Sequence, residues 1–149
     1  MRLPKKSLSG VTIIELVIGI SILAGLASIG LFIAMNQYSS YVLEADWNAA
    51  ASLLQTARAR AMSNINSSAH GLYFDAADFV VFQGSSYDDR DTAYDEKFVR
   101  SAIVTVTGPE EIVFNRLRGD LLEGNGTVTL SNGERSRTIT LNNEGQISW

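Results

Sequence analysis

Residues 11–35 read VTIIELVIGISILAGLASIGLFIAM, and the ten residues before them read MRLPKKSLSG. From Leu16 to Met35 there is no charged residue, and 20 residues at 1.5 Å rise make a helix about 30 Å long. That is the thickness of a bilayer's hydrocarbon core, so the stretch can span a membrane. One carboxylate, Glu15, stands at its start. A secretory signal carries its small-residue cleavage site after the apolar core, whereas here the small pair, Ser9-Gly10, comes before it. A cut at that place leaves the apolar helix on the product.

Gly10, one apolar residue, then Thr12-Ile13-Ile14-Glu15-Leu16 closely resembles the type IV prepilin signal. The resemblance is to type IV pilins and type II secretion pseudopilins. It implies cleavage by a prepilin peptidase between Gly10 and Val11 and methylation of the new N-terminus at Val11, where phenylalanine is the usual residue. It further implies that Glu15 pairs with a neighbouring subunit's N-terminus during assembly, and that the partners are other pilins or pseudopilins and an inner-membrane assembly platform.

The residues themselves set up the same question. A carboxylate at membrane depth costs several kcal/mol unless it is paired or reaches the interface. After cleavage the Val11 amine would lie four residues from Glu15, on the same helical face. The plainer reading is a first-turn glutamate favoured by the helix dipole. Gly19, Gly25 and Gly30, with Ser21, Ala24, Ala27 and Ser28, allow close helix approach. They fit a helix that packs against copies of itself or its relatives, and equally a loosely packed anchor.

With 149 residues the chain has room for a membrane helix and one small domain. Its net charge is −4, and without Arg2, Lys5 and Lys6 it falls to −7, which argues against a broadly nucleic-acid-binding surface. There is no cysteine, hence neither a disulfide framework nor a thiolate metal site. Arg2, Lys5 and Lys6 precede the span and the next positive residue is Arg58, so the C-terminal domain is expected outside the cytoplasm. The expected location is the cytoplasmic (inner) membrane, crossed once, with the pilus or pseudopilus as the destination after assembly.

Residues 36–65 contain neither proline nor glycine and predict a continuation of the helix. Leu43, Trp47, Ala50, Leu54, Ala57, Ala61 and Ile65 recur at steps of three or four, with Glu44, Asn48, Gln55 and Arg58 opposite. From residue 71 the period becomes two. Strands are predicted at 71–74, 79–83, 98–107, 112–117, 127–131, 137–141 and 146–149, with turns at Asn132-Gly133 and Asn142–Gly145. The run Ile112-Val113-Phe114 to Gly119, followed by 126–130 and 137–147, resembles the GspH/FimT-like minor pseudopilin family, as does Ala57-Arg58-Ala59-Arg60. The expected fold class is α+β and pilin-like, a long N-terminal helix packed on a C-terminal antiparallel sheet. Its parts are a leader (1–10), a membrane segment (11–35), an amphipathic helix (36–65) and a β-rich domain (66–149).

For catalysis the sequence offers little: His70 is the sole histidine, and no nucleophile triad or phosphate-cradling loop is present. No enzyme and no cofactor are expected, and His70 reads as a solvated or locally bonded loop residue. The acids at 88–96 invite calcium, but their spacing fits no EF-hand and Arg90 interrupts them, so a solvated loop is expected. Arg116, Arg118, Arg135 and Arg137 are candidate DNA-binding residues if they converge. The expected function is that of a minor pilin or pseudopilin, a structural subunit assembled through its N-terminal helix. Two other readings stand beside it, a minor pilin that captures DNA and an uncleaved anchored domain that binds a protein partner.

Overall fold

The computed structural model describes residues 10–124 and 126–149. Residues 1–9 of the expected leader, with Arg2, Lys5 and Lys6, lie outside the described residues. Among the described residues one long helix, α1 (Ile13–Met62), is followed by eight strands: β1 (His70–Phe74), β2 (Asp78–Gln83), β3 (Glu96–Val99), β4 (Thr105–Thr107), β5 (Glu111–Phe114), β6 (Gly126–Ser131), β7 (Ser136–Leu141) and β8 (Ile147–Ser148). The layout is α+β, with every strand pair antiparallel. The chain divides into two units, Met1–Gln37 and Tyr38–Trp149.

In the first unit, the described residues are helical from Ile13 on, as expected of a stretch with no proline after Pro4. The stretch is apolar on every side, and none of it is buried: Ile14, Leu23 and Phe32 each keep about two thirds of their surface exposed (67%, 67% and 68%). The helix is long and apolar enough to cross a membrane.

The second unit begins at Tyr38 and has one hydrophobic core. The predicted stripe of α1 supplies Leu43, Ala50, Leu54, Ala57 and Ala61, joined by Ala51 and Leu53, with Trp47 packed against it. Each fully buried Leu, Ile or Phe of such a core contributes about 1.5–3 kcal/mol. Ile65 does not join the stripe, because α1 stops at Met62 rather than continuing to residue 65. Asn64 adopts the left-handed conformation (φ 54°) and its N–H donates to the Ala61 carbonyl at 3.1 Å, a helix stop that asparagine tolerates.

The β-domain is two four-stranded sheets, not one. The first has the order β3-β2-β1-β5 and the second β4-β6-β7-β8. Both add to the core that α1 caps: Leu72, Phe79, Val81, Ile112 and Phe114 from the first, Val128, Leu130, Ile139 and Leu141 from the second. The strand predicted over 98–107 is therefore corrected to two strands in different sheets, β3 and β4. The chain turns between them, with Val104 N–H donating to the Ser101 carbonyl and Ser101 N–H to the Asp46 carboxylate of α1. The final meander agrees with expectation: β6 and β7 are joined through Asn132-Gly133 (Gly133 φ 87°), and β7 and β8 through Asn142–Gly145.

The first sheet is covered on both faces. Leu72 and its pair Val81 face α1, while Gly71, Tyr73, Val80 and Phe82 face the other way. On that outer face the Phe82 ring lies across Gly71, where a Cβ would come within 2.5 Å of it. The cover is the connection from β2 to β3: the Tyr87 ring stacks on Tyr73 at 3.7 Å and meets Phe82 edge-on at 5.6 Å.

Candidate functional site

The expected cleavage and assembly residues sit at the head of the first unit. Gly10 and Val11 precede α1, both exposed, with Val11 at 73%. Thr12 caps the helix: its Oγ1 accepts from the N–H of Glu15 at 3.3 Å, which is the first half of a Thr-x-x-Glu capping box. Glu15 thus stands in the first turn with an exposed side chain, where the helix dipole favours its charge. Further along, the Ser21 hydroxyl donates to the Val17 carbonyl (2.7 Å) and that of Ser28 to the Ala24 carbonyl (2.8 Å). The two serines satisfy their own donors and remain compatible with an apolar surrounding. At Gly19, Gly25 and Gly30 an added Cβ would meet open space, so their flat surfaces are free for another helix.

The four candidate arginines fall into two separate pairs. Arg116 and Arg118 lie on the turn after β5, which is tied to the end of α1 by the Leu117 N–H on the Ala61 carbonyl (2.9 Å). Arg135 and Arg137 belong to the β6–β7 hairpin, which is tied near the start of the second unit by Asn132 on Ser39 and by Arg137 on Glu44. Glu44 and Ala61 are about 25 Å apart along the helix. The arginines do not converge, and three of them are engaged: Arg116 donates to the Ser67 carbonyl, Arg118 pairs with Asp120 at 3.0 Å, and Arg137 pairs with Glu44 while its guanidinium lies 5.8 Å from the Trp47 ring centre.

In the acidic stretch 88–96 Asp88, Asp89, Asp91 and Glu96 are exposed, as expected, while Arg90 and Asp95 are tied down. Arg90 lies 3.6 Å over the Tyr87 ring, donates to the Tyr87 carbonyl at 2.6 Å and forms a fork with Asp95 at 2.9 and 3.1 Å. The Asp95 hydrogen bond raises the Arg90 pKa above its ordinary value, a gain that desolvation partly opposes. The Tyr87 N–H donates to Glu111 at 2.7 Å. The loop is therefore a cover pinned to the sheet. Beside it a cavity of about 240 Å³ is lined by Tyr73, Tyr87, Asp88, Glu110, Glu111 and Glu123. Burial, and then the charges of Glu110 and Asp75, push the Tyr73 hydroxyl pKa up. Among the described residues no group of three or more His, Asp or Glu side chains is placed to hold a metal ion.

Sequence reading missed two residues. Arg58, expected on the solvated side of α1, is half-buried and holds two loops, donating to the carbonyls of Gly119 (3.0 Å) and Glu144 (2.9 Å). His70, expected as a solvated or locally bonded loop residue, has a local hydrogen bond with the Ser68 backbone but is the first residue of β1 and only 3% exposed. Its place on the core face follows from the period of two that puts it with Leu72 and Phe74, a pattern that holds one residue further than the predicted strand. Comparison with protein-family models, with curated proteins and with solved structures finds no match to this chain.

Proposed function

We propose that the chain is a minor pilin or pseudopilin, a structural subunit that enters a type IV pilus or type II secretion pseudopilus through its N-terminal helix. The observation that carries this reading is the first unit of α1, apolar on all sides and wholly exposed, headed by one capped carboxylate. Such a surface needs lipid before assembly and neighbouring helices after it, and the small residues along it suit close helix contacts. On this reading the prepilin peptidase cuts between Gly10 and Val11, and the chain sits in the inner membrane with the β-domain outside the cytoplasm. Glu15 then accepts the charge of a Val11 amine, its own or a neighbour's, as the subunit leaves the bilayer, so the cost of a carboxylate at membrane depth is offset only in the correct axial register. The β-domain selects the neighbours.

The test is Glu15→Ala in the full chain, expressed with its assembly system. Membrane insertion should be unchanged, because removing a carboxylate makes the span more apolar. Incorporation into sheared filaments or cross-linked pseudopili should be lost. Normal incorporation of the variant would overturn the assembly role of Glu15.

A further inference from the structure

Between the end of α1 at Met62 and the start of β1 at His70 the chain must reverse, and it does so through three left-handed residues, Asn64 (φ 54°), Asn66 (φ 51°) and Ser67 (φ 54°). Asparagine accepts this conformation and serine resists it, so the junction stays folded because other groups hold it. Asn66 donates from its amide to Gln83 at 2.7 Å, Arg116 donates to the Ser67 carbonyl at 2.9 Å, and the N–H of Gly84 donates to the Ala69 carbonyl at 3.0 Å. Across the junction Arg60 of α1 forms a fork with Glu96 of β3, both bonds at 2.9 Å.

His70 sits behind these fastenings. It is paired in register with Gln83 on one side and Phe114 on the other. It lines a cavity of about 390 Å³ together with Arg60, Asn66, Gln83, Tyr94, Asp95 and Glu96. Its Nδ1 is buried without a hydrogen-bond partner.

We propose that His70 makes the α1–β1 junction an acid-sensitive latch, closed over the neutral imidazole and opened when the ring gains a second proton. In the closed junction Nδ1 is buried with no hydrogen-bond partner, so a proton arriving there would be held unpaired. The charged groups lining the cavity offer it no free counter-charge. Of the two carboxylates, Asp95 is held by Arg90 and Glu96 by Arg60. The cation from α1 is Arg60 itself, and β2 and β5 contribute the uncharged Gln83 and Phe114.

Burial accordingly lowers the His70 pKa from 6.5, and the Arg60 charge acts the same way, against a hydrogen bond with the Ser68 backbone. The sign follows. The opened junction binds the proton more readily than the closed one, so closure is fully favoured above pH 6.5 and weakens as pH falls from 6.5 to the closed-state pKa, below which the loss is complete. The released segment carries the last turn of α1 and the first residue of β1, where the helix joins the first sheet.

The experiment is NMR on the full chain in detergent micelles. His70 is the only histidine, so its ring signals identify themselves. Its titration is compared with exchange of the Ser68 and Gly84 amides, corrected for the intrinsic pH dependence. The latch predicts a ring pKa below 6.5 and an opening constant that rises about tenfold per pH unit below 6.5, levelling off where the ring titrates. In His70→Gln the opening constant should be flat across this range. A ring pKa at or above 6.5, protection that ignores the ring titration, or the same pH dependence in His70→Gln would each overturn the proposal. Should His70→Gln fail to fold, the unmodified chain decides it: the opening constant must level off at the pH where the ring titrates, and a rise that continues below that pH would overturn the proposal.

Discussion

Arg58 reaches from α1 to the carbonyl of Gly119, its Nε donating at 3.0 Å, and with Nη2 takes the carbonyl of Glu144 as well. One guanidinium thereby joins the helix to the turn after β5 and to the β7–β8 turn. Gly145 stands against the same Gly119 carbonyl in the left-handed conformation (φ 71°), leaving no room there for a side chain. Two charge-assisted hydrogen bonds in a half-buried place imply that Arg58→Ala lowers stability by about 2–3 kcal/mol. Arg58→Lys should recover little of it, since an ammonium lacks the planar fork. Chemical denaturation of the full chain in micelles, followed by tryptophan fluorescence, checks both.

Tyr87 offers a second test, because its ring and not its hydroxyl covers the outer face of the first sheet. Tyr87→Phe should be nearly neutral, keeping the stack on Tyr73 and the edge contact with Phe82. Tyr87→Ala should cost about 2–3 kcal/mol and expose the loop to limited proteolysis around Asp88–Asp91. Equal resistance of the two variants to protease would show that the loop is held by other contacts.

At Gly71 the prediction concerns close approach. A methyl there meets the Phe82 ring and the Ile112 carbonyl, at 2.5 and 2.8 Å, so Gly71→Ala should destabilise by about 1–3 kcal/mol. Adding Phe82→Leu removes the ring's far end, and the double variant should be less destabilised than the sum of the singles. Additive costs would mean that the backbone carbonyl, not the ring, sets the limit.

The Glu44–Arg137 pair is the contrasting case. Both side chains are substantially exposed, at 39% and 52%, so Glu44→Gln should change stability by less than about 1 kcal/mol, and added salt should erase the difference.

How far the sequence could be read depended on the range of the interactions. The α1 stripe and the closing β6–β7–β8 meander rest on local period and turn chemistry, and both were legible from Leu43 to Ala61 and from Asn132 to Gly145. The break at Ser101 was not. The alternating pattern runs straight through it, and the turn is held by Asp46, which lies 55 residues away. The end of α1 was overrun for a similar reason: Ile65 continues the helical spacing, but Asn64 turns left-handed beneath a loop that docks through Leu117 on Ala61. Arg58 looked solvated because the groups it binds are backbone carbonyls, to which no residue type points. The acids at 88–96 are exposed as read, apart from Asp95, but the stack that pins their loop was not legible because it depends on Tyr73 in another strand. Of the candidate site, the motif from Gly10 to Leu16 was legible as residues, and the Thr12 cap adds its local geometry.

The central claim, that the chain is processed and enters a filament through its N-terminal helix, is tested most directly by the intact mass of the protein after co-expression with a prepilin peptidase. The account predicts a loss matching residues 1–10, with or without one added methyl group on Val11. A chain that keeps Met1, under conditions where a control prepilin is cut, would contradict it and leave Glu15 without the amine assigned to it.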